Sequence, residues 1–67
     1  MTVARVTKIT AASSTGFQDA IEEGLSRAAQ TLRGISGLEV ISQKAKVEDG
    51  KITEYRATIE VTFILED

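Results

Sequence analysis

The clearest pattern in the chain is a strict alternation over Lys51–Asp67. Tyr55, Ala57, Ile59, Val61, Phe63 and Leu65 hold the odd positions, and Glu54, Arg56, Thr58, Glu60 and Thr62 the even ones. A period of two predicts one long β-strand with an apolar face to bury and a polar face to solvate. About 14 residues at roughly 3.3 Å each reach roughly 46 Å, which is long for a chain of 67 residues. Upstream the period changes. Phe17, Ala20, Ile21, Gly24, Leu25, Ala28 and Leu32 recur at three- and four-residue spacing and predict an amphipathic helix from Thr15 to Arg33. Asp19, Glu22 and Glu23 come early in it and Arg27 and Arg33 late, which complements the helix dipole. Glu23 and Arg27 are spaced as an i,i+4 ion pair. Gly24 costs about 1 kcal/mol relative to alanine inside a helix, so the close approach of another backbone is its expected reason.

The remaining segments are shorter. Val3–Thr10 is rich in β-formers and predicts a first strand, followed by a small-residue loop, Ala11–Gly16, in which Ser13 or Ser14 serves as N-cap. Gly34 is placed to stop the helix as its C′ residue. Leu38–Glu48 predicts a second strand, and Asp49-Gly50 a two-residue hairpin turn. That turn sets Leu38 opposite Val61, Val40 opposite Ile59 and Ser42 opposite Ala57 on one face. On the other it sets Glu39 opposite Glu60, Ile41 opposite Thr58, Gln43 opposite Arg56 and Val47 opposite Ile52, with Glu48 facing Lys51. The resulting class is α+β: a single β-α-β-β domain, residues 1–67, with a three-stranded antiparallel sheet of order 1-3-2 and the helix on one face. A helix of roughly 28 Å is shorter than the long strand. The overhanging hairpin therefore needs a partner, and a homo-oligomer is expected.

Composition narrows the function. A chain this short buries only about 60% of its unfolded surface and lacks a margin of stability unless something else supports it. There are no cysteines and no histidines, which removes disulfides and thiolate metal sites and leaves oligomerisation. The same absences remove Cys–His and Ser–His pairs and any imidazole base, so a non-enzymatic role is expected. The net charge is −2, with both signs interspersed, and aromatic residues are scarce. Neither a basic footprint nor a base-stacking platform for nucleic acid is present. The N-terminus does not read as a signal peptide and no apolar run approaches membrane-spanning length. A soluble cytoplasmic protein with no nucleic-acid or membrane partner is the expectation.

A few positions could carry chemistry. Glu39 directly opposite Glu60 places like charges face to face, which destabilises a hairpin unless something compensates. The two either extend into solvent or hold an interface salt bridge or a divalent cation, oxygen ligands suiting Mg²⁺ or Ca²⁺. Arg56 is either a ligand for an anion or a surface arginine paired with Glu39 or Glu60 of a neighbouring subunit. Lys44 and Lys46 are expected on the inward side of the second strand beyond the helix end, as solvated or interface lysines or as phosphate ligands. Tyr55 either stacks on a ligand or is a half-buried strand tyrosine.

The order of elements resembles the dodecin family over nearly the whole chain. So do Ser13-Ser14 before Phe17-Gln18-Asp19-Ala20-Ile21, then Arg27-Ala28-Ala29-Gln30-Thr31-Leu32-Arg33, Glu39-Val40, Val47-Glu48-Asp49-Gly50-Lys51, Glu54-Tyr55 and Leu65-Glu66-Asp67. The resemblance implies a hollow homododecamer of cubic 23 symmetry. It further implies a non-enzymatic role, binding or sequestering a flavin, riboflavin or FMN, in paired stacks between subunits. The family's flavin-stacking tryptophan falls at Gly37, its ring-edge glutamine at Arg56 and a closing-strand arginine at Ile64, while Lys44 keeps a basic residue. Gly37 is then either a strand-entry residue or an enlarged pocket. A stacked ring is worth roughly 1–3 kcal/mol, by analogy with base stacking, so these departures lower the flavin affinity that the resemblance implies. The alternative is a flavin-free assembly of structural or Ca²⁺/Mg²⁺-binding role.

Overall fold

The computed structural model describes residues 2–65. It comprises strand β1 (Val3–Ser13), helix α1 (Phe17–Thr31), strand β2 (Ile35–Glu48) and strand β3 (Lys51–Leu65). The sheet runs in the order β1-β3-β2, antiparallel throughout, as the sequence predicts. The final residues expected in the last strand, Glu66 and Asp67, lie outside the described residues.

β3 is the spine because it alone has a neighbour on each side. Ala57, Ile59 and Val61 are fully buried, and Phe63 nearly so, beneath α1. Burying a Val or Ile side chain is worth about 1.5–3 kcal/mol, and these alternate side chains supply most of the core. Ala20, Gly24 and Ala28 form the buried line of the helix, and Ile9, Ile21, Leu32, Ile35 and Val40 pack around the core. Gly24 is where the two layers come nearest. A Cβ there would lie 3.2 Å from the Ala11 Cβ and 3.3 Å from the Ile59 Cδ1. Close approach is thus its reason, but the approaching groups are side chains and not a backbone. Leu25, expected in the buried stripe, is 36% exposed at its flank.

Several boundaries move. β1 continues through Ala11, Ala12 and Ser13, which pair with Ala57, Arg56 and Tyr55, because the small side chains expected to form a loop fit beneath the helix. α1 accordingly begins at Phe17. Ser13 does not cap it as an N-cap residue; its Oγ accepts from the backbone N–H of Thr15 at 2.9 Å and of Gly16 at 3.4 Å and donates to Asp19 at 2.6 Å, fixing the turn into the helix. At the other end Leu32 is already extended, its N–H donating to the Ala28 carbonyl at 2.8 Å. Gly34 is therefore not the C′ residue. Its φ of 74° and the Ile64 N–H donating to its carbonyl at 2.9 Å turn the chain directly onto β3, which starts β2 at Ile35, before the expected Leu38. Glu23 and Arg27 make no ion pair with each other; on the opposite flank of the helix Gln18 donates to Glu22 at 2.7 Å.

The hairpin turn forms as predicted, with Asp49 at φ 53° and Gly50 at 74°, the positive pair that a two-residue turn requires. The register follows the prediction at Glu48/Lys51, Val47/Ile52, Val40/Ile59, Glu39/Glu60 and Leu38/Val61. Between these it differs. An irregularity between Val40 and Ser42 on β2, and another between Lys46 and Val47, shift the intervening rungs. Ser42 faces Thr58 and not Ala57, Gln43 faces Ala57 and not Arg56, and Arg56 faces Lys44. An extra residue on one strand is offset by an extra residue on the other, so both ends of the hairpin keep their register while its middle exchanges faces.

Candidate functional site

The shifted rungs bring the basic residues together. Lys44 pairs with Arg56 and Lys46 with Glu54, so both lysines share the face of Arg56, opposite to the inward placement expected for them. Lys44, Ala45, Lys46 and Arg56 line one concavity of about 370 Å³. Within the chain the Arg56 Nε donates to Glu54, and Lys46 lies 3.4 Å from Glu48. Both pairs are exposed and so weakly held; either cation can exchange its partner for an anionic ligand.

Gly37 lies at a separate place, the groove between α1 and β2. Ile21, Leu25, Ile35 and Leu38 form its apolar wall and Gln18 and Glu22 its polar edge, around about 500 Å³. Nothing lies within 4 Å of the position a Gly37 side chain would take. From the rung Gly37/Thr62 to the rung Lys44/Arg56 there are six residues of β3, roughly 20 Å at the rise of a strand. One chain therefore does not bring Gly37 together with Lys44 and Arg56.

Glu39 and Glu60 do face each other, and they have a neighbour that the sequence does not reveal. Lys8 is the β1 partner of Glu60, so the row across the sheet reads Lys8, Glu60, Glu39. A cation across the rung from the central carboxylate offsets part of the like-charge contact, although Lys8 and Glu60 close no ion pair. Removing it as Lys8→Ala should cost roughly 0.5–1 kcal/mol, checked by chemical denaturation in low salt, with the difference shrinking in high salt. Among the described residues no group of three or more His, Cys, Asp or Glu side chains is placed to hold a metal. Tyr55 packs edge-on against Phe17, with ring centroids 5.0 Å apart and planes at 84°, which is the half-buried strand reading. The signal for the basic concavity is present in Lys44-x-Lys46 and Arg56. Only the two register shifts, invisible in a regular alternation, set them on one face.

A split β-α-β-β subunit, its three-stranded antiparallel sheet ordered β1-β3-β2 and packed against one helix, defines a small α+β fold. The dodecin family model matches residues 3–66, and the chain belongs to the dodecin family. It is similar to a dodecin from Thermus thermophilus, with 30% identity, a TM-score of 0.94 and all of both chains covered. Against the dodecin from Streptomyces davaonensis the identity is 35% and the TM-score 0.92, covering 98% of this chain and 97% of that one. A calcium dodecin from Mycobacterium tuberculosis, described as having a calcium-binding site, is 34% identical with a TM-score of 0.81, covering 96% of this chain and 91% of the other. Among curated protein sequences the chain matches none.

Proposed function

We propose that the chain forms a hollow homododecamer that binds a flavin at the interfaces between its subunits, without catalysing a reaction. The observation that carries the ligand reading is the basic concavity of Lys44, Lys46 and Arg56, which suits the phosphate of FMN, together with an uncrowded Gly37 in an apolar groove that suits the ring. Because these lie roughly 20 Å apart in one chain, one ligand draws on more than one copy. FMN is then favoured over riboflavin, since only FMN carries the anion that the lysines and arginine address.

The test is a fluorescence titration of FMN and riboflavin with the purified protein. Quenching of both, stronger for FMN, is expected. Lys44→Ala with Arg56→Ala should weaken FMN about 10-fold or more, from the loss of charge-assisted contacts worth roughly 1.5–3 kcal/mol, and leave riboflavin within about 2-fold. Absence of quenching at micromolar protein removes the flavin reading.

A second reading is favoured by the 34% identity to the calcium dodecin. In it the Glu39 and Glu60 carboxylates of adjacent copies together supply oxygen ligands to Ca²⁺ or Mg²⁺, which a single chain with Lys8 beside Glu60 does not offer. Calorimetry with Ca²⁺ and a melt with and without chelator decide it: no heat and an unchanged melting temperature remove it.

A further inference from the structure

Asp49-Gly50 is the only Asp-Gly step in the sequence, which has no asparagine. An aspartate carboxyl lies within reach of the next backbone nitrogen, because joining its Cγ to that nitrogen closes an unstrained five-membered imide ring. A following residue with a Cβ screens the nitrogen from this attack. Glycine has no Cβ and leaves it open.

The fold leaves both reacting groups free. Asp49 and Gly50 are exposed, and nothing lies within 4 Å of the position a Gly50 Cβ would take. Among the described residues the Asp49 carboxylate makes no ion pair and no side-chain hydrogen bond. The Gly50 nitrogen donates to no backbone carbonyl there either. Asp49 is held at φ 53°, a left-handed conformation uncommon for residues other than glycine. Any opening of the turn therefore relieves it.

The surrounding sheet makes such opening easy. β1 stops pairing at Ser13/Tyr55, so the rungs Lys46/Glu54, Val47/Ile52 and Glu48/Lys51 are two-stranded, with a register shift between Lys46 and Val47. A bare two-stranded hairpin is marginal in water. The tip thus opens locally without unfolding the rest, and the carboxyl gains the rotation that brings it onto the Gly50 nitrogen.

We infer that Asp49-Gly50 is a site of spontaneous backbone isomerisation to isoaspartate. The Gly50 nitrogen forms a bond to the Asp49 Cγ, and the carboxyl OH leaves with the amide proton as water. A water molecule then adds to one of the two imide carbonyls and breaks its bond to the nitrogen. Addition at Cγ restores aspartate. Addition at the former backbone carbonyl turns that group into a free carboxylate and routes the chain through Cβ and Cγ. Water lost equals water gained, and no oxidant or reductant takes part. The product carries one extra backbone atom in a turn whose geometry is set by two ordinary residues with positive φ. The rungs Glu48/Lys51 and Val47/Ile52 loosen as a result, while the three-stranded part of the sheet is unaffected.

Trypsin, which cuts after Lys46 and Lys51, releases Val47-Glu48-Asp49-Gly50-Lys51 and so isolates the site. The folded full-length protein is kept for weeks at neutral pH and body temperature and sampled by digestion, chromatography and mass spectrometry. The pentapeptide is expected to split into two peaks of identical mass, the second growing as the first declines. Asp49→Glu, which would need a larger ring, should keep a single peak over the same period. Amide exchange in the aged protein should rise at Val47 and Ile52 and stay unchanged at Ile59 and Val61. A pentapeptide that stays single in the folded protein, while splitting in the same chain held in denaturant, overturns the inference: the turn then keeps the Gly50 nitrogen from the carboxyl. A second peak that also grows in Asp49→Glu overturns the assignment to Asp49, and unchanged exchange at the tip overturns the loosening.

Discussion

Gly37→Trp is expected to raise the affinity for FMN and riboflavin by roughly 5- to 150-fold, the equivalent of about 1–3 kcal/mol for one stacked ring. The physical case rests on room. No heavy atom lies within 4 Å of the new Cβ, and Gly37 is not among the glycines with positive φ, so a side chain leaves the backbone there without strain. Gly37 shares its rung with Thr62, on the sheet face away from the buried Val61 and Phe63, so the indole stands on that outer face and offers an aromatic plane to a ring held between copies. Tryptophan also favours a strand position over glycine, so folding does not oppose the change. Fluorescence titration of both flavins against parent and variant checks it. An unchanged dissociation constant would place the ring-binding site elsewhere on the molecule.

Gly24→Leu should destabilise the fold by overpacking the helix–sheet interface. Even a bare Cβ at Gly24 sits 3.2 Å from the Ala11 Cβ and 3.3 Å from the Ile59 Cδ1, tighter than ordinary van der Waals contact, and leucine adds three more carbons. Replacing glycine in a helix gains about 1 kcal/mol of propensity. Overpacking costs about 1–3 kcal/mol and occasionally more, and here it forces the helix off the fully buried Ile59. The expected net is a loss of up to about 2 kcal/mol, a fall of up to roughly 16 °C in melting temperature for a domain of this size. Gly24→Ala sets the reference: propensity and crowding nearly cancel there, and little change is expected. Thermal melts by circular dichroism at matched protein concentration, which oligomers require, decide the matter. A leucine variant that melts like the parent would mean that α1 does not pack at Gly24 as closely as this.

Much of the fold is legible in the chain because it is written in local period. The alternation of Tyr55 through Leu65 specifies a strand, the spacing of Ala20, Gly24 and Ala28 a helix, and Asp49-Gly50 a tight turn. Three strands joined in that order leave one economical sheet, with the last strand in the middle. Family membership is legible for a related reason: its motifs lie along the whole chain, from Phe17-Gln18-Asp19 to Glu54-Tyr55. A chain without Cys or His likewise excludes, by composition alone, any disulfide or imidazole of its own.

What alternation cannot reveal is where it is broken. A strand reads as regular until an extra residue is set against its partner, and only the paired backbones show that Ser42, Gln43, Lys44 and Arg56 exchange neighbours. The basic concavity follows from that exchange, because a shift of one rung moves a side chain to the other face of the sheet. Lys8 beside Glu60 is of the same kind, a contact between positions more than fifty residues apart that no window of sequence contains. By itself the sequence determined the elements and their order, since period is a local quantity. The tertiary structure alone decided which charges meet, how near Ala11 and Ile59 come to Gly24, and that Gly37 stands apart from Lys44 and Arg56, since each is set by the register between strands and the distance between layers.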